Sequence, residues 1–127
     1  MKTRIRVAGL AINNDSILLM KHTINGKHFW IAPGCRLEGD ETFEECAARE
    51  TIEETGLVVR VGTLAYVTQY IDQKNQWNQV SFLFLSQTIE GTPKAQSEWG
   101  KSNEWIEDIV WLGEDELEGK FVISPFI

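Results

Sequence analysis

A chain of 127 residues with 43% hydrophobic content and five Trp can bury one core but not two, and it is too rich in aromatic residues to be disordered, so a single domain over residues 1–127 is expected. Its 12 Lys and Arg against 19 Asp and Glu give a net charge of −7, which argues against polymeric DNA or RNA as a partner but leaves small polyphosphates open if metal ions bring the positive charge. Two cysteines, Cys35 and Cys46, are too few for a disulfide framework, no signal-like apolar run follows Met1-Lys2-Thr3-Arg4, and no stretch approaches the ~20 apolar residues of a membrane span, so a cytoplasmic protein without membrane attachment is expected.

Arg4 to Ile12 is rich in Val, Ile and Leu and ends at Asn13-Asn14-Asp15, a turn signal; Ile17 to Met20 then reads as a buried strand, which makes a hairpin. A polar loop containing Gly26 leads to Phe29-Trp30-Ile31, a short strand expected to stop at Pro33-Gly34 because proline cannot donate to a ladder. After a helix from about residue 43, Val58 to Val61 and Leu64 to Ile71 are strand-like. The polar stretch Asp72 to Gln79 separates them from the apolar run Val80 to Leu85, a second hairpin. Thr92-Pro93 opens a polar loop to about Asn103, Ile109 to Leu112 follows as a last strand, and Glu114 to Glu118 forms a short helix. No repeat, linker or low-complexity tract is present.

Thr42 and Glu45 make a capping box, in which the hydroxyl and the carboxylate satisfy the first free N–H groups of a helix. Gly56 stands where a left-handed residue ends it, with no Gly or Pro between. At ~100° per residue, Glu50, Glu53 and Glu54 share a sector with Phe43, Cys46 and Ala47, so the three carboxylates are expected to continue an inward-looking face. They lie at the negative end of the helix dipole, where each anion is disfavoured by ~0.3–1 kcal/mol, and Glu50 and Glu54 also repel one another. A bound cation explains that placement; the competing reading is a solvated charged face. Carboxylates without His or Cys suit a hard ion, Mg²⁺ or Mn²⁺.

Arg49 reaches Glu53 at i, i+4, either as a surface ion pair or as a fork that fixes a carboxylate. Ahead of the helix, Pro33-Gly34-Cys35-Arg36-Leu37-Glu38-Gly39-Asp40-Glu41 brings further carboxylates and backbone groups toward it. Together these residues resemble the signature of the Nudix (MutT-like) hydrolase family: Glu41, Arg49, Glu50, Glu53, Glu54, Gly56 and Leu57 match in register. Cys35 stands where that signature has its first Gly, and Thr51 stands at an aliphatic position. Trp30-Ile31-Ala32-Pro33-Gly34 is similar to the strand entering the motif, and Trp111-Leu112 with Glu116-Leu117 to the closing strand and helix.

The resemblance implies an α/β fold, an α/β/α sandwich around a mixed sheet, and attack of water on a diphosphate linked to another moiety. It implies metal ligation by Glu50, Glu54 and Glu53 with the Gly34 carbonyl, Mg²⁺ (or Mn²⁺) as cofactor, and Arg49 holding the carboxylates. Glu38 is a peripheral candidate, and Glu98, Glu104 and Glu107 are candidates for a base outside the motif or for plain surface charge. Cys35 adds a Cβ where Gly is usual, and its thiol is weighed as a redox-sensitive one. Thr51 packs like Val if its hydroxyl is satisfied. Tyr70, Trp77, Trp99 and Trp105 are candidates for stacking on a base or for packing; His22 and His28 receive no role.

With no Pro between Pro33 and Pro93, the chain lacks the proline that ADP-ribose pyrophosphatases of the family carry, and NADH and coenzyme A signatures are also absent. The default substrate is therefore a nucleoside triphosphate, cut to monophosphate and pyrophosphate. The alternative is a non-catalytic nucleotide- or metabolite-binding module of the same fold. The resemblance also implies a homodimer.

Overall fold

The structure, a computed structural model, describes residues 1–24, 26–37, 39–92, 106–117 and 122–123. The first apolar run forms β1 (Lys2–Asn13) and the second β2 (Ser16–Ile24), joined by a tight turn in which Asn14 and Asp15 take φ of 50° and 61°. Two successive left-handed residues are what a two-residue hairpin turn demands, and Asn and Asp tolerate them best after Gly. Only Ile12↔Ile17 and Asn13↔Ser16 pair between the two strands. Beyond that point they part like a fork, each taking different partners.

β1 runs parallel to β6 (Trp77–Glu90) from Lys2↔Trp77 to Ile12↔Gln87 and antiparallel to β4 (Gly34–Arg36) through Arg6↔Arg36, Val7↔Cys35 and Ala8↔Gly34. β2 pairs with β3 (Lys27–Ile31) and with β7 (Ile106–Gly113), both antiparallel. The outer strands are β5 (Val58–Asp72), antiparallel to β6, and β8 (Val122–Ile123), parallel to β3. The result is the expected α/β fold on a mixed sheet.

Three readings change. The segment expected to stop at Pro33-Gly34 pairs again at once as β4, because its partner β1 is distant in sequence and local composition carries no trace of it. The two strand-like runs between Val58 and Ile71 are one strand, bent by register shifts near Val61 and Leu64. β8 was not foreseen at all.

Helix α1 (Phe43–Thr55) lies on one face of the sheet, and α2 (Glu114–Leu117) is a single turn after β7. α1 buries Cys46 and Ala47 with Val7 and Phe84, and the Phe43 ring stacks on Phe82 with centroids 4.8 Å apart. A second cluster joins Leu18, Met20, Leu57 and Val59, and a third joins Ala8, Leu10, Leu19 and Leu83. Each fully buried Leu or Met contributes ~1.5–3 kcal/mol as an upper bound. Gly9 lets the helix come close: a Cβ there would lie 2.9 Å from Thr51 Oγ1.

Cys46 is fully buried and disulfide-bonded, so its state gives no support to the reducing compartment expected from the cysteine count. Among the described residues no helix is long and apolar enough to cross a membrane.

Candidate active site

The helix begins and ends as its sequence dictates. Glu45 N donates to Thr42 Oγ1 at 3.1 Å and Thr42 N to Glu45 Oε1 at 2.9 Å; Gly56, at φ 85°, donates its N–H to Ile52 O at 2.9 Å. Its buried stripe is Cys46, Ala47, Thr51 and Thr55. Glu50 and Glu54 flank that stripe, but Glu53 does not share it: its side chain is 56% exposed. One residue is ~100° of rotation, enough to carry Glu53 off the edge of the inward sector that Glu54 still occupies.

Glu54 reaches the sheet. Gly34 N donates to Glu54 Oε1 at 3.1 Å, and Arg6 Nη2 donates to Gly34 O at 3.3 Å, so one glycine links a helix carboxylate to a buried arginine of β1. Burial first, then the neighbouring Glu50 carboxylate, pushes the Glu54 carboxyl up to about 8, with Arg6 and the Gly34 N–H pulling the other way. Burial draws Arg6 down to about 10, against the pull of Glu54 and Glu50, and it stays protonated at neutral pH.

Arg49 ties the preceding loop to the helix. Its Nε and Nη2 grip Glu41 at 3.1 and 2.8 Å, while Nη1 donates to Glu50 Oε1 at 2.8 Å and Glu53 Oε2 at 3.2 Å. The Glu41 and Glu50 hydrogen bonds raise the Arg49 guanidinium above its ordinary value, and Arg49 in turn holds Glu41 below the usual carboxylate range. One guanidinium thus sets the orientation of three carboxylates.

Gly34 is required by close approach. A Cβ there would meet Val7 O at 2.4 Å and Ala8 Cα at 2.9 Å. Cys35 lies in extended strand opposite Val7, so its backbone needs no glycine-like conformation. Thr51 is fully buried with its hydroxyl satisfied by Ala47 O at 2.7 Å.

Of the remaining candidates, Glu38, Glu98, Glu104, Trp99 and Trp105 lie outside the described residues, and only the backbone of Glu107 is described, in β7. Tyr70 is exposed on β5, and Trp77 begins β6 under the Arg4 guanidinium. Thr23 Oγ1 and His28 Nδ1 are 2.9 Å apart in an exposed hydrogen bond; burial and then Arg6 lower His22.

Among the described residues no three His, Cys, Asp or Glu side chains come together as a metal-binding group. What does come together is Glu50, Glu54 and the main chain of Gly34. These are oxygen donors, as a hard divalent ion prefers, and Mg²⁺ keeps several waters and needs few protein ligands. Two partly buried carboxyl groups whose charges repel are also the arrangement a divalent cation would neutralise. The residues fit Mg²⁺ or Mn²⁺.

Sequence reasoning passed over Arg4, Arg6 and Arg36, although the period-two spacing of Arg4 and Arg6 in a strand already places them on one face. Two surface depressions lie away from the carboxylates. One of about 410 Å³ lies between Ile12 and Arg60, and one of about 710 Å³ between Asn14 and Glu116; both are open and lined by none of the site residues.

The NUDIX domain family model matches residues 2–126. Over 76 residues the chain is 37% identical to Phosphatase NudJ of Escherichia coli K12, a stretch that is 60% of this chain and 45% of that protein. The chain therefore matches less than half the length of this curated relative. A MutT NUDIX hydrolase from Burkholderia pseudomallei superposes with a TM-score of 0.78 at 24% identity, covering 95% of this chain and 91% of that one. A NUDIX hydrolase from Nitrosomonas europaea gives 0.76 at 22% identity, covering 93% and 77%. At such identities the structural likeness is one of fold.

Proposed function

The chain belongs to the NUDIX family, and on that premise we propose that it is a Mg²⁺- or Mn²⁺-dependent pyrophosphohydrolase of small nucleotides, with a nucleoside triphosphate as substrate and the monophosphate and pyrophosphate as products. The observation that carries this reading is the partly buried Glu50–Glu54 pair, with Glu54 held against Gly34, a concentration of carboxylates that unsettles the helix end. The name of the Escherichia coli relative, a phosphatase, accords with it.

In this reading Glu50, Glu54 and the Gly34 carbonyl hold the metal, and Glu53 supplies a further ligand or takes the proton of the attacking water. The Gly34 carbonyl accepts from Arg6 through one lone pair, which leaves its second for the metal. When bound, the ion neutralises the diphosphate and acidifies a water. The water oxygen bonds to phosphorus as the bridging P–O bond breaks, pyrophosphate leaves, and the water's proton passes to a carboxylate. Arg49 keeps Glu50 and Glu53 aimed, because a nucleophile displaced by an ångström loses much of its advantage. The protein works in the cytoplasm, as a homodimer for which the exposed Leu64, Val67 and Ile71 on one face of β5 offer an apolar surface.

The test is pyrophosphate or phosphate release from a panel of nucleoside triphosphates, dinucleoside polyphosphates and nucleotide sugars, with Mg²⁺ or Mn²⁺ and with chelator. Chelator-sensitive release from triphosphates is expected. Metal-dependent thermal stabilisation with no release from any member would instead identify a binding module. A monomer in sedimentation equilibrium removes the homodimer.

A further inference from the structure

Three arginines stand together, and one of them, Arg6, faces the carboxylates. Alternation along β1 puts Arg4 and Arg6 on one face, and strand pairing sets Arg36 of β4 opposite Arg6. Their Cα atoms are therefore within roughly 5 to 8 Å of one another. Arg6 is the corner that touches the candidate site, through Gly34 O at 3.3 Å. Trp77 anchors the far edge: the Arg4 guanidinium carbon lies 3.8 Å from its ring centroid and that of Arg36 5.6 Å. A cation within ~6 Å of an indole ring is attracted to it, so the ring holds these two groups in place.

Arg6 already faces Glu54 and Glu50, whereas the charges of Arg4 and Arg36 are not spent within the fold. Among the described residues neither Arg4 nor Arg36 has a carboxylate in ion-pair contact, and Arg4 Nε is buried without a hydrogen-bond partner. Asp72, the carboxylate in the field of Arg4, is committed to its own turn, accepting from Asn75 N at 3.1 Å and Asn75 Nδ2 at 2.9 Å. Burial, and after it the charge of Arg36, lowers Arg4 from its usual value, with Asp72 opposing. In a chain of net charge −7, such a gathering of mutually repelling cations is matched by an anionic ligand.

We propose that Arg4, Arg6 and Arg36 form a subsite for the phosphate chain of a nucleoside triphosphate, next to the carboxylates that would hold its metal. This rests on the hydrolase reading for where the chain is cut, but not for whether it is bound. A divalent ion neutralises the phosphates it touches, while the remaining phosphate charges would face Glu50 and Glu54. Guanidinium forks match phosphate oxygens and offset that repulsion. A nucleotide sugar or a monophosphate lacks those extra charges, so the subsite selects triphosphates.

The test is calorimetric titration of the whole chain, in chelator, with inorganic tripolyphosphate and with orthophosphate. Tripolyphosphate is expected to bind at least about tenfold tighter, and Arg36→Gln and Arg4→Gln each to weaken it about tenfold, the value of one charged hydrogen bond. Arg60→Gln, an exposed arginine of β5, is the control and should bind as wild type. With Mg²⁺, Arg36→Gln should raise KM for ATP about tenfold with kcat within about threefold. Arg36 is exposed, so its variant folds and decides the matter even if Arg4→Gln does not.

Wild-type affinity in Arg36→Gln, or an equal loss in Arg60→Gln, overturns the subsite. Arginine-dependent tripolyphosphate binding without hydrolysis of any nucleotide leaves the subsite standing and removes the hydrolase. Chelator-sensitive hydrolysis with arginine-independent tripolyphosphate binding does the reverse.

Discussion

A carboxylate packed next to another needs a proton or a cation, and where no cation is supplied Glu54 holds its proton well above the ordinary carboxylate range. Its folded value of about 8 lies above the ordinary 4.5. Between those values the folded chain keeps a proton that the unfolded chain has released, so rising pH favours unfolding. In chelator, the stability this group allows is therefore fullest below pH 4.5 and is lost as pH climbs toward 8. Glu54→Gln should remove that pH dependence, melt at or above the wild-type midpoint at pH 8, and lose most turnover. Melting curves across pH with chelator and a turnover assay check this; unchanged turnover in the folded variant would sink the metal assignment. Arg49→Lys is expected to lower kcat at least about tenfold while changing stability by less than ~1 kcal/mol, because the bidentate grip on Glu41 is lost but exposed ion pairs add little stability. Parallel kinetics and urea titration read the two effects separately.

At the scale of elements, the site depends on how closely β4 can approach β1. Gly34→Ala would place a Cβ 2.4 Å from Val7 O, and backbone cannot yield as a flexible side chain would. The strand must shift, the Gly34 N–H must leave Glu54, and stability should fall by ~1–3 kcal/mol together with activity. Loss of metal-induced stabilisation in the same variant, read by thermal melting with and without Mn²⁺, distinguishes a broken site from a merely softer fold; full metal response would show that the strand contact is not what aims Glu54. Helix α1 is different in kind, since both of its ends are set by local chemistry. The capping box at Thr42 and the left-handed Gly56 bound it whatever the rest of the chain does, and Gly56→Ala should cost about 1 kcal/mol through backbone strain alone.

For the molecule as a whole, a net charge of −7 means that substrate must be met by localised positive charge, from bound metal and from the arginines of β1 and β4. Added Mg²⁺ or Mn²⁺ should raise the melting midpoint of the wild type by an amount that grows with the logarithm of metal concentration once the site saturates, and chelator should reverse it. No shift at millimolar metal would count against any ion at Glu50 and Glu54. Much of this was legible in the chain. Helix boundaries, the first hairpin and the grouping of Arg49, Glu50 and Glu54 follow from caps, turn residues and spacing, all of which act over a few residues. Glu53 lies ~100° of helix rotation from Glu54, and only the packing of the helix on the sheet decides which edge of that arc is exposed. What the sequence could not supply is pairing between distant segments. That β4 resumes immediately after Pro33, that β1 leaves β2 to run beside β6, and that Arg6 meets Gly34 are decided by which faces must be buried together. Local propensity determined where the carboxylates sit on their helix; only the tertiary packing of that helix against β1 and β4 decided that two of them would be partly buried, that Glu54 would meet the Gly34 N–H and that Arg6 would face them.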